Sequence, residues 1–181
     1  GFGLEEIEFA DGLVWTRKDI VRETKTEGDG NPNSLVGTDH QDNLLGTADV
    51  DTLSGLGGDD VLTGGAGNDL LYGGDGGVEE ANGGDTYVWS TGDGDDTIID
   101  QGKSISEIDT LRFLDINSED VSLYRESGNE DLKVNILSSG GAEITVSNRF
   151  SDLNFGYGIE RIEFADGEIW SLSDILAPTT V

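Results

Sequence analysis

Cysteine and methionine are both missing from the 181 residues, histidine occurs once, and lysine and arginine together fill only 10 positions against 38 of Asp and Glu. Each shortage excludes something. Without Cys there is no disulfide framework and no thiol chemistry. With no Cys and one His, soft and borderline metals have no ligand set. A net charge of −28 (10 − 38, His neutral) repels phosphate backbones and anionic lipid, so no nucleic-acid partner is expected. No apolar run approaches the roughly 20 residues that span a bilayer, so no membrane insertion is expected. A chain without a single Met is expected to be an excised piece or a processed product of a longer protein.

What is present is glycine, at 28 positions, and carboxylate. Hydrophobic residues make up 34%, below the roughly 45–50% apolar content of an ordinary domain. The length allows one domain of about 150 residues. The charge opposes compaction, and low hydropathy with high net charge is a signature of disorder. Either the chain is a disordered acidic polymer, or a cation is part of its fold.

Internal repeats decide between the two. A period of nine aligns Gly37-Thr-Asp-His-Gln-Asp-Asn-Leu-Leu45, Gly46-Thr-Ala-Asp-Val-Asp-Thr-Leu-Ser54, Gly55-Leu-Gly-Gly-Asp-Asp-Val-Leu-Thr63 and Gly64-Gly-Ala-Gly-Asn-Asp-Leu-Leu-Tyr72. Position six is Asp42, Asp51, Asp60 and Asp69; position eight is Leu44, Leu53, Leu62 and Leu71. The preceding unit, residues 28–36, carries Asn33 and Leu35 at those places. After residue 72 the phase slips, and Gly83-Gly84-Asp85-Thr86-Tyr87 and Gly94-Asp95-Asp96-Thr97-Ile98 resume it. The acidic insertion 75–81 reads as a loop whose Glu79 and Glu80 are solvated.

Such a unit reads as three residues of strand and six of turn. The Gly-rich turn permits positive φ, and alternation points the position-eight residue into a narrow core. Burying one Leu yields at most about 1.5–3 kcal/mol. Ordering nine residues costs roughly 1–2 kcal/mol each. The deficit falls to position six, where stacking brings carboxylates of units i and i+2 together along each edge. Like charges so placed need a cation between them. Carboxylates with turn carbonyls make the hard oxygen cage that Ca²⁺ takes, with 6–8 oxygens at about 2.3–2.6 Å.

The pattern Gly-Gly-x-Gly-x-Asp-x-apolar-x resembles the RTX (haemolysin-type) calcium-binding nonapeptide. Residues 64–72 match it at every specified position, and residues 55–63 depart only at Leu56. In the first two units Thr38 and Thr47 replace the second Gly, and His40 and Asp49 replace the fourth. Those turns are expected to bind weakly or to cap the start of the coil. The resemblance implies a parallel β-roll with two units per turn and Ca²⁺ between successive turns on each edge. Carried over, the metal ligands are Asp42 with Asp60, Asp51 with Asp69, Asp60 with Asp85 and Asp69 with Asp96. Loop carbonyls of Gly55, Gly57, Gly64 and Ala66 join them, for about three to four Ca²⁺ ions or more.

A second repeat is longer. Residues 3–20 recur as 158–175, with 11 of 18 positions identical at an offset of 155. Each copy reads as a hairpin, with Asp166-Gly167 as a type I′ turn signal. A short helix follows, opened by a Ser171/Asp174 capping box. Between the roll and that hairpin, residues 110–114, 121–125, 132–137 and 144–148 read as strands. This stretch resembles the β-rich domain that accompanies RTX repeats. The expected fold is all-β: a parallel β-roll capped by an antiparallel β-rich segment that continues from Ile98-Ile99, with a short terminal helix. The expected divisions are 1–27 (end of a preceding module), 28–100 (roll), 101–176 (cap) and 177–181 (tail).

Catalytic sets are thin. The lone His40 sits in a turn, no Ser has a second His to work with, and the Gly-rich stretches lack a P-loop Lys. Arg112, Arg125, Arg149 and Arg161 read as exposed strand positions or partners of local acids. No enzyme is expected in this segment. The resemblance implies a module that folds on Ca²⁺ outside the cell and stabilises or spaces a large secreted or surface protein exported by type I secretion. It would be a monomer within a tandem array. Two alternatives stand beside it. One is an adhesion or carbohydrate-binding segment, with Tyr87, Trp89 and Phe155 stacking on sugars. The other is an accessory module of a secreted hydrolase or polysaccharide-modifying enzyme.

Overall fold

A computed structural model describes residues 33–74, 83–101, 107–138, 140–147, 149 and 158–177, and the backbone of residues 6–8, 14–16 and 25–27. Short strands alternate between two sheets as the nine-residue phase dictates. A first hairpin pairs β1 (Glu6–Glu8) with β2 (Val14–Thr16). β3 (Lys25–Glu27), β5 (Asn43–Leu45), β7 (Val61–Thr63) and β9 (Thr86–Trp89) then stack in parallel in one sheet. β4 (Ser34–Val36), β6 (Thr52–Leu56), β8 (Leu70–Gly74) and β10 (Thr97–Ile99) stack in parallel in the other. Two units complete one turn, so Leu35, Leu53, Leu71 and Ile98 lie in register in one sheet, and Leu44, Leu62 and Tyr87 in the other.

The boundary read at residue 100 does not end the parallel pairing. β11 (Thr110–Phe113) lies parallel to β9. The chain then leaves the coil through a 3₁₀ turn (Ser118–Asp120) and an antiparallel excursion of β12 (Val121–Tyr124) and β13 (Leu132–Ile136). It returns as β14 (Ala142–Val146), which pairs parallel with β10 and antiparallel with β13. The neighbour of Ile98 is thus a parallel strand, and the antiparallel cap begins one strand further out. β15 (Arg161–Glu163) extends the other sheet in parallel, and β16 (Ile169–Ser171) closes it antiparallel. α1 (Leu172–Leu176) ends the described chain; the Asp174 carboxylate accepts from the Ser171 N–H at 2.8 Å and its hydroxyl at 2.6 Å, as the capping-box pattern predicts.

The core is a narrow seam between the sheets. Leu44, Leu53, Leu62, Leu71, Tyr87, Ile98, Leu111, Val146 and Ile162 are buried along it. At the C-terminal end Trp89 meets Phe113 edge-on at 5.8 Å, Phe113 stacks on Phe164 at 5.6 Å, and Phe164 meets Trp170 edge-on at 4.7 Å. These rings run from strand to strand across that end of the sheet, from β9 through β11 and the end of β15 to β16. Tyr87 and Trp89 are 0% and 2% exposed, which corrects their reading as sugar-stacking aromatics: the roll needs them as core. Phe155 lies outside the described residues.

The hairpin turn also differs from expectation. Of Asp166 and Gly167, only Gly167 has positive φ, at +83°, so the turn is not type I′. The Gly167 N–H donates to the Phe164 carbonyl and the Phe164 N–H to the Glu168 carbonyl. That pattern is a three-residue loop whose last residue is left-handed. β1 with β2 and β15 with β16 share one register, Ile7 opposite Trp15 and Ile162 opposite Trp170. The 155-residue sequence repeat is therefore also a backbone repeat.

Candidate metal centre

Every position-six Asp sits where a turn enters a strand, and the parallel register stacks these Asp in two lines. Along one edge run Asp42, Asp60, Asp85 and Asp109. The N–H of each donates to Oδ1 of the next, at 2.7, 2.9 and 2.8 Å. The Asp109 N–H closes the line on Glu160 Oε2 at 3.0 Å. Along the other edge the N–H of Asn33 donates to Asp51 Oδ1, that of Asp51 to Asp69 Oδ1, and that of Asp69 to Asp96 Oδ1, at 2.6, 2.8 and 2.8 Å. The four pairs named from the sequence are thus neighbours in these ladders. Asp109 and Glu160 were missed, although each stands two residues before a buried Leu111 or Ile162, as position six does before position eight.

All six sequence-named carboxylates are buried, at 1–6% exposure. In Asp51, Asp60, Asp69, Asp85 and Asp96, Oδ1 accepts a ladder N–H; Oδ2 is what differs. Asp60 Oδ2 and Asp69 Oδ2 are buried with no hydrogen-bond partner. A buried carboxylate oxygen left unpaired carries a large desolvation cost. Burial first, then the facing carboxylates, lift the Asp60 pKa to about 8 and the Asp69 pKa to about 6. The same causes lift Asp96 to about 8 and Asp85 to about 9. Asp109, packed against Asp100, Glu160 and Asp85, is raised as well. These groups resist ionising unless positive charge is brought to them.

The glycines at position one let the backbone pack directly against these oxygens. A Cβ on Gly55 would lie 2.1 Å from Asp60 Oδ2 and 2.8 Å from the Gly73 carbonyl oxygen. A Cβ on Gly64 would lie 2.2 Å from Asp69 Oδ2. The Gly55 carbonyl faces Gly37 beside Asp42 Oδ2, and the Gly64 carbonyl faces Gly46 beside Asp51 Oδ2. Gly57 donates its N–H to the Thr38 carbonyl, and Ala66 lies in the 64–69 turn. Orphaned carboxylate oxygen, backbone carbonyl and absent side chain are a donor set that fits Ca²⁺ and not a softer metal.

Further along the first edge, Asp85, Asp100 and Asp109 bring carboxylate oxygens within 4.8 Å of one another, all buried. Asp100 follows β10 at position one, where earlier turns carry Gly. Its Oδ2 accepts from the Tyr87 hydroxyl at 2.6 Å. The buried Arg149 guanidinium lies 3.6 Å from Glu160 Oε1 and brings positive charge to the end of this line. The other three arginines read as partners of acids also pair with them: Arg112 with Glu163, Arg125 with Glu130 and Arg161 with Glu163. Arg149 differs in being buried rather than on an exposed strand. His40 lies exposed in its turn.

Residues 45–77 match the family model of the RTX calcium-binding nonapeptide repeat (4 copies). Residues 131–174 match that of the haemolysin-type calcium binding protein related domain. The chain therefore carries an RTX module, whose ion is Ca²⁺, and the matched stretch holds Asp51, Asp60 and Asp69. A search of curated proteins finds no significant match. Between the two matched segments, Asp85, Asp96 and Asp109 carry the ladders onward.

Proposed function

We propose, with this RTX module as premise, that the chain is a calcium-dependent scaffold. It folds on Ca²⁺ binding outside the cell and stabilises or spaces a large secreted or surface protein. The observation that carries the reading is the pair of buried, unpartnered oxygens, Asp60 Oδ2 and Asp69 Oδ2, each packed against a position-one glycine. The ligands are drawn from the ladder carboxylates named from the sequence, Asp42, Asp51, Asp60, Asp69, Asp85 and Asp96, with turn carbonyls among Gly55, Gly57, Gly64 and Ala66. Bound Ca²⁺ supplies the positive charge that lets facing carboxylates ionise in a buried line. The protein's own part is to hold Oδ1 in the backbone ladder, which fixes the direction of Oδ2 and leaves it free for the ion. Where free Ca²⁺ is scarce the carboxylates repel and the chain stays open; at roughly millimolar Ca²⁺ binding and folding are one event.

Among the described residues no helix is long and apolar enough to cross a membrane, which is compatible with an exported module. The test is far-UV circular dichroism of the whole chain with EDTA and then at millimolar Ca²⁺. The expected result is a mostly disordered spectrum that becomes β-rich. A spectrum that is β-rich and indifferent to EDTA refutes the scaffold reading.

A further inference from the structure

The four nonapeptide turns are not built alike. In the turns at 55–60 and 64–69, position two has positive φ, +78° at Leu56 and +91° at Gly65, and so does position four, +105° at Gly58 and +141° at Gly67. In the turns at 37–42 and 46–51, Thr38, His40, Thr47 and Asp49 have no positive φ. Those two turns take another path and reach another chemistry. The Thr38 N–H and hydroxyl both donate to Asp42 Oδ2, at 2.6 and 2.9 Å. The Thr47 N–H and hydroxyl donate to Asp51 Oδ2 at the same 2.6 and 2.9 Å. The hydroxyl in turn accepts the position-four N–H, from His40 at 3.2 Å and from Asp49 at 3.4 Å.

We infer that threonine at position two closes a turn against calcium: the turns 37–42 and 46–51 hold their own carboxylate, and calcium sites begin at Asp60 and Asp69. Two donors fill the lone pairs that Oδ2 would offer a cation. In the Gly-type turns the equivalent oxygen is buried without a partner. The departures at positions two and four are therefore one change: the Thr hydroxyl needs a neighbouring N–H, and that N–H comes from a residue with ordinary φ. The two turn types stack directly, since a Cβ on Gly58 would strike the His40 backbone and one on Gly67 the Asp49 carbonyl. A coil closed by hydrogen bonds thus abuts the calcium-dependent turns. It donates the N–H groups of Asp42 and Asp51 that pin Oδ1 of Asp60 and Asp69.

This inference rests on the calcium reading and refines it by removing Asp42 and Asp51 as Oδ2 ligands. The test counts ions bound by the whole chain, by equilibrium dialysis with isotopic calcium, beside a calcium titration followed by circular dichroism. Asp60→Asn and Asp69→Asn are expected to lose about one ion each. Asp42→Asn and Asp51→Asn are expected to lose no ion, whatever the cost of their broken turn hydrogen bonds to stability. Thr38→Gly with Thr47→Gly is expected to add one or two ions. Loss of an ion in Asp42→Asn or Asp51→Asn overturns the inference while leaving the calcium reading standing. An unchanged count in a folded Thr-to-Gly variant does the same. Should that variant fail to fold, the Asn series decides alone. A wild-type chain that binds no calcium refutes both.

Discussion

Gly55→Ala is the sharpest test of how the ladder holds its cation. Gly55 lacks positive φ, so alanine meets no backbone strain there. By restricting the unfolded chain it would ordinarily stabilise by about 0.4–1 kcal/mol. Its Cβ, however, would stand 2.1 Å from Asp60 Oδ2 and 2.8 Å from the Gly73 carbonyl oxygen. Forcing a methyl into such a space costs about 1–3 kcal/mol. It also pushes aside the Asp60 carboxylate that the ion needs. An ion held at a free concentration 100 times its dissociation constant contributes about 2.7 kcal/mol. The net loss is therefore about 3–5 kcal/mol, a large part of the roughly 5–15 kcal/mol of an ordinary domain. The assay is thermal unfolding at saturating Ca²⁺ together with an ion count. Gly92→Ala is the control: φ is +101° and no atom lies within 4 Å of the added Cβ, so the expected cost is strain of about 1–2 kcal/mol with the ion count intact. If Gly55→Ala binds as many ions as wild type with the same midpoint, Asp60 Oδ2 is not a metal ligand.

Three other outcomes follow from the same geometry. In EDTA, acidification should restore β structure: the folded carboxylates hold protons up to about pH 8 at Asp60 and Asp96 and about 9 at Asp85. The unfolded chain releases them near its ordinary value, so cation-free stability is fullest below about pH 4 and is lost as pH rises through the folded values. A circular-dichroism signal that grows with pH would contradict this. Leu62→Ala, at a fully buried seam position, should cost about 2–5 kcal/mol in denaturant unfolding at saturating Ca²⁺; a loss under 1 kcal/mol would mean the seam is not the core. Tyr87→Phe leaves Asp100 Oδ2 without its 2.6 Å hydroxyl donor and should cost about 1–3 kcal/mol in the same assay, and an unchanged midpoint would show that another donor replaces it.

Much of this was readable from one dimension because the repeat is short and local. Asp at position six and Leu at position eight follow from a nine-residue period, a strand alternation of two and a turn rich in Gly. Asp42, Asp51, Asp60 and Asp69 therefore declared both their edge and their partners. The slips after residue 72 did not hide Asp85 and Asp96, because Gly-Asp-Thr-aromatic and Asp-Asp-Thr-Ile kept the local spacing. The same spacing marks Asp109 before Leu111 and Glu160 before Ile162, but Asp109 has no glycines in its turn and Glu160, though it follows Gly156 and Gly158, replaces the Asp of the pattern, so neither was read as a rung. Tyr87 and Trp89 were misread as exposed because aromatic residues at positions eight and one are rarer than Leu and Gly. Nothing local says that the seam buries them.

By itself the sequence determined the kind of fold and the place of its charge: a parallel coil with carboxylates on both edges, since nine-residue units cannot close by burial alone. Only the tertiary structure decided how far the coil runs and which carboxylates lack a partner. β14 returns to the stack after the β12–β13 excursion, and β15 finds β11 about fifty residues away, through contacts no local period encodes. Whether an Asp oxygen is satisfied depends on a hydroxyl four residues back and on the path of its turn. Thr38 and Thr47 are small departures on the page of the sequence. In three dimensions they separate a carboxylate held by the chain from one that calls for a cation.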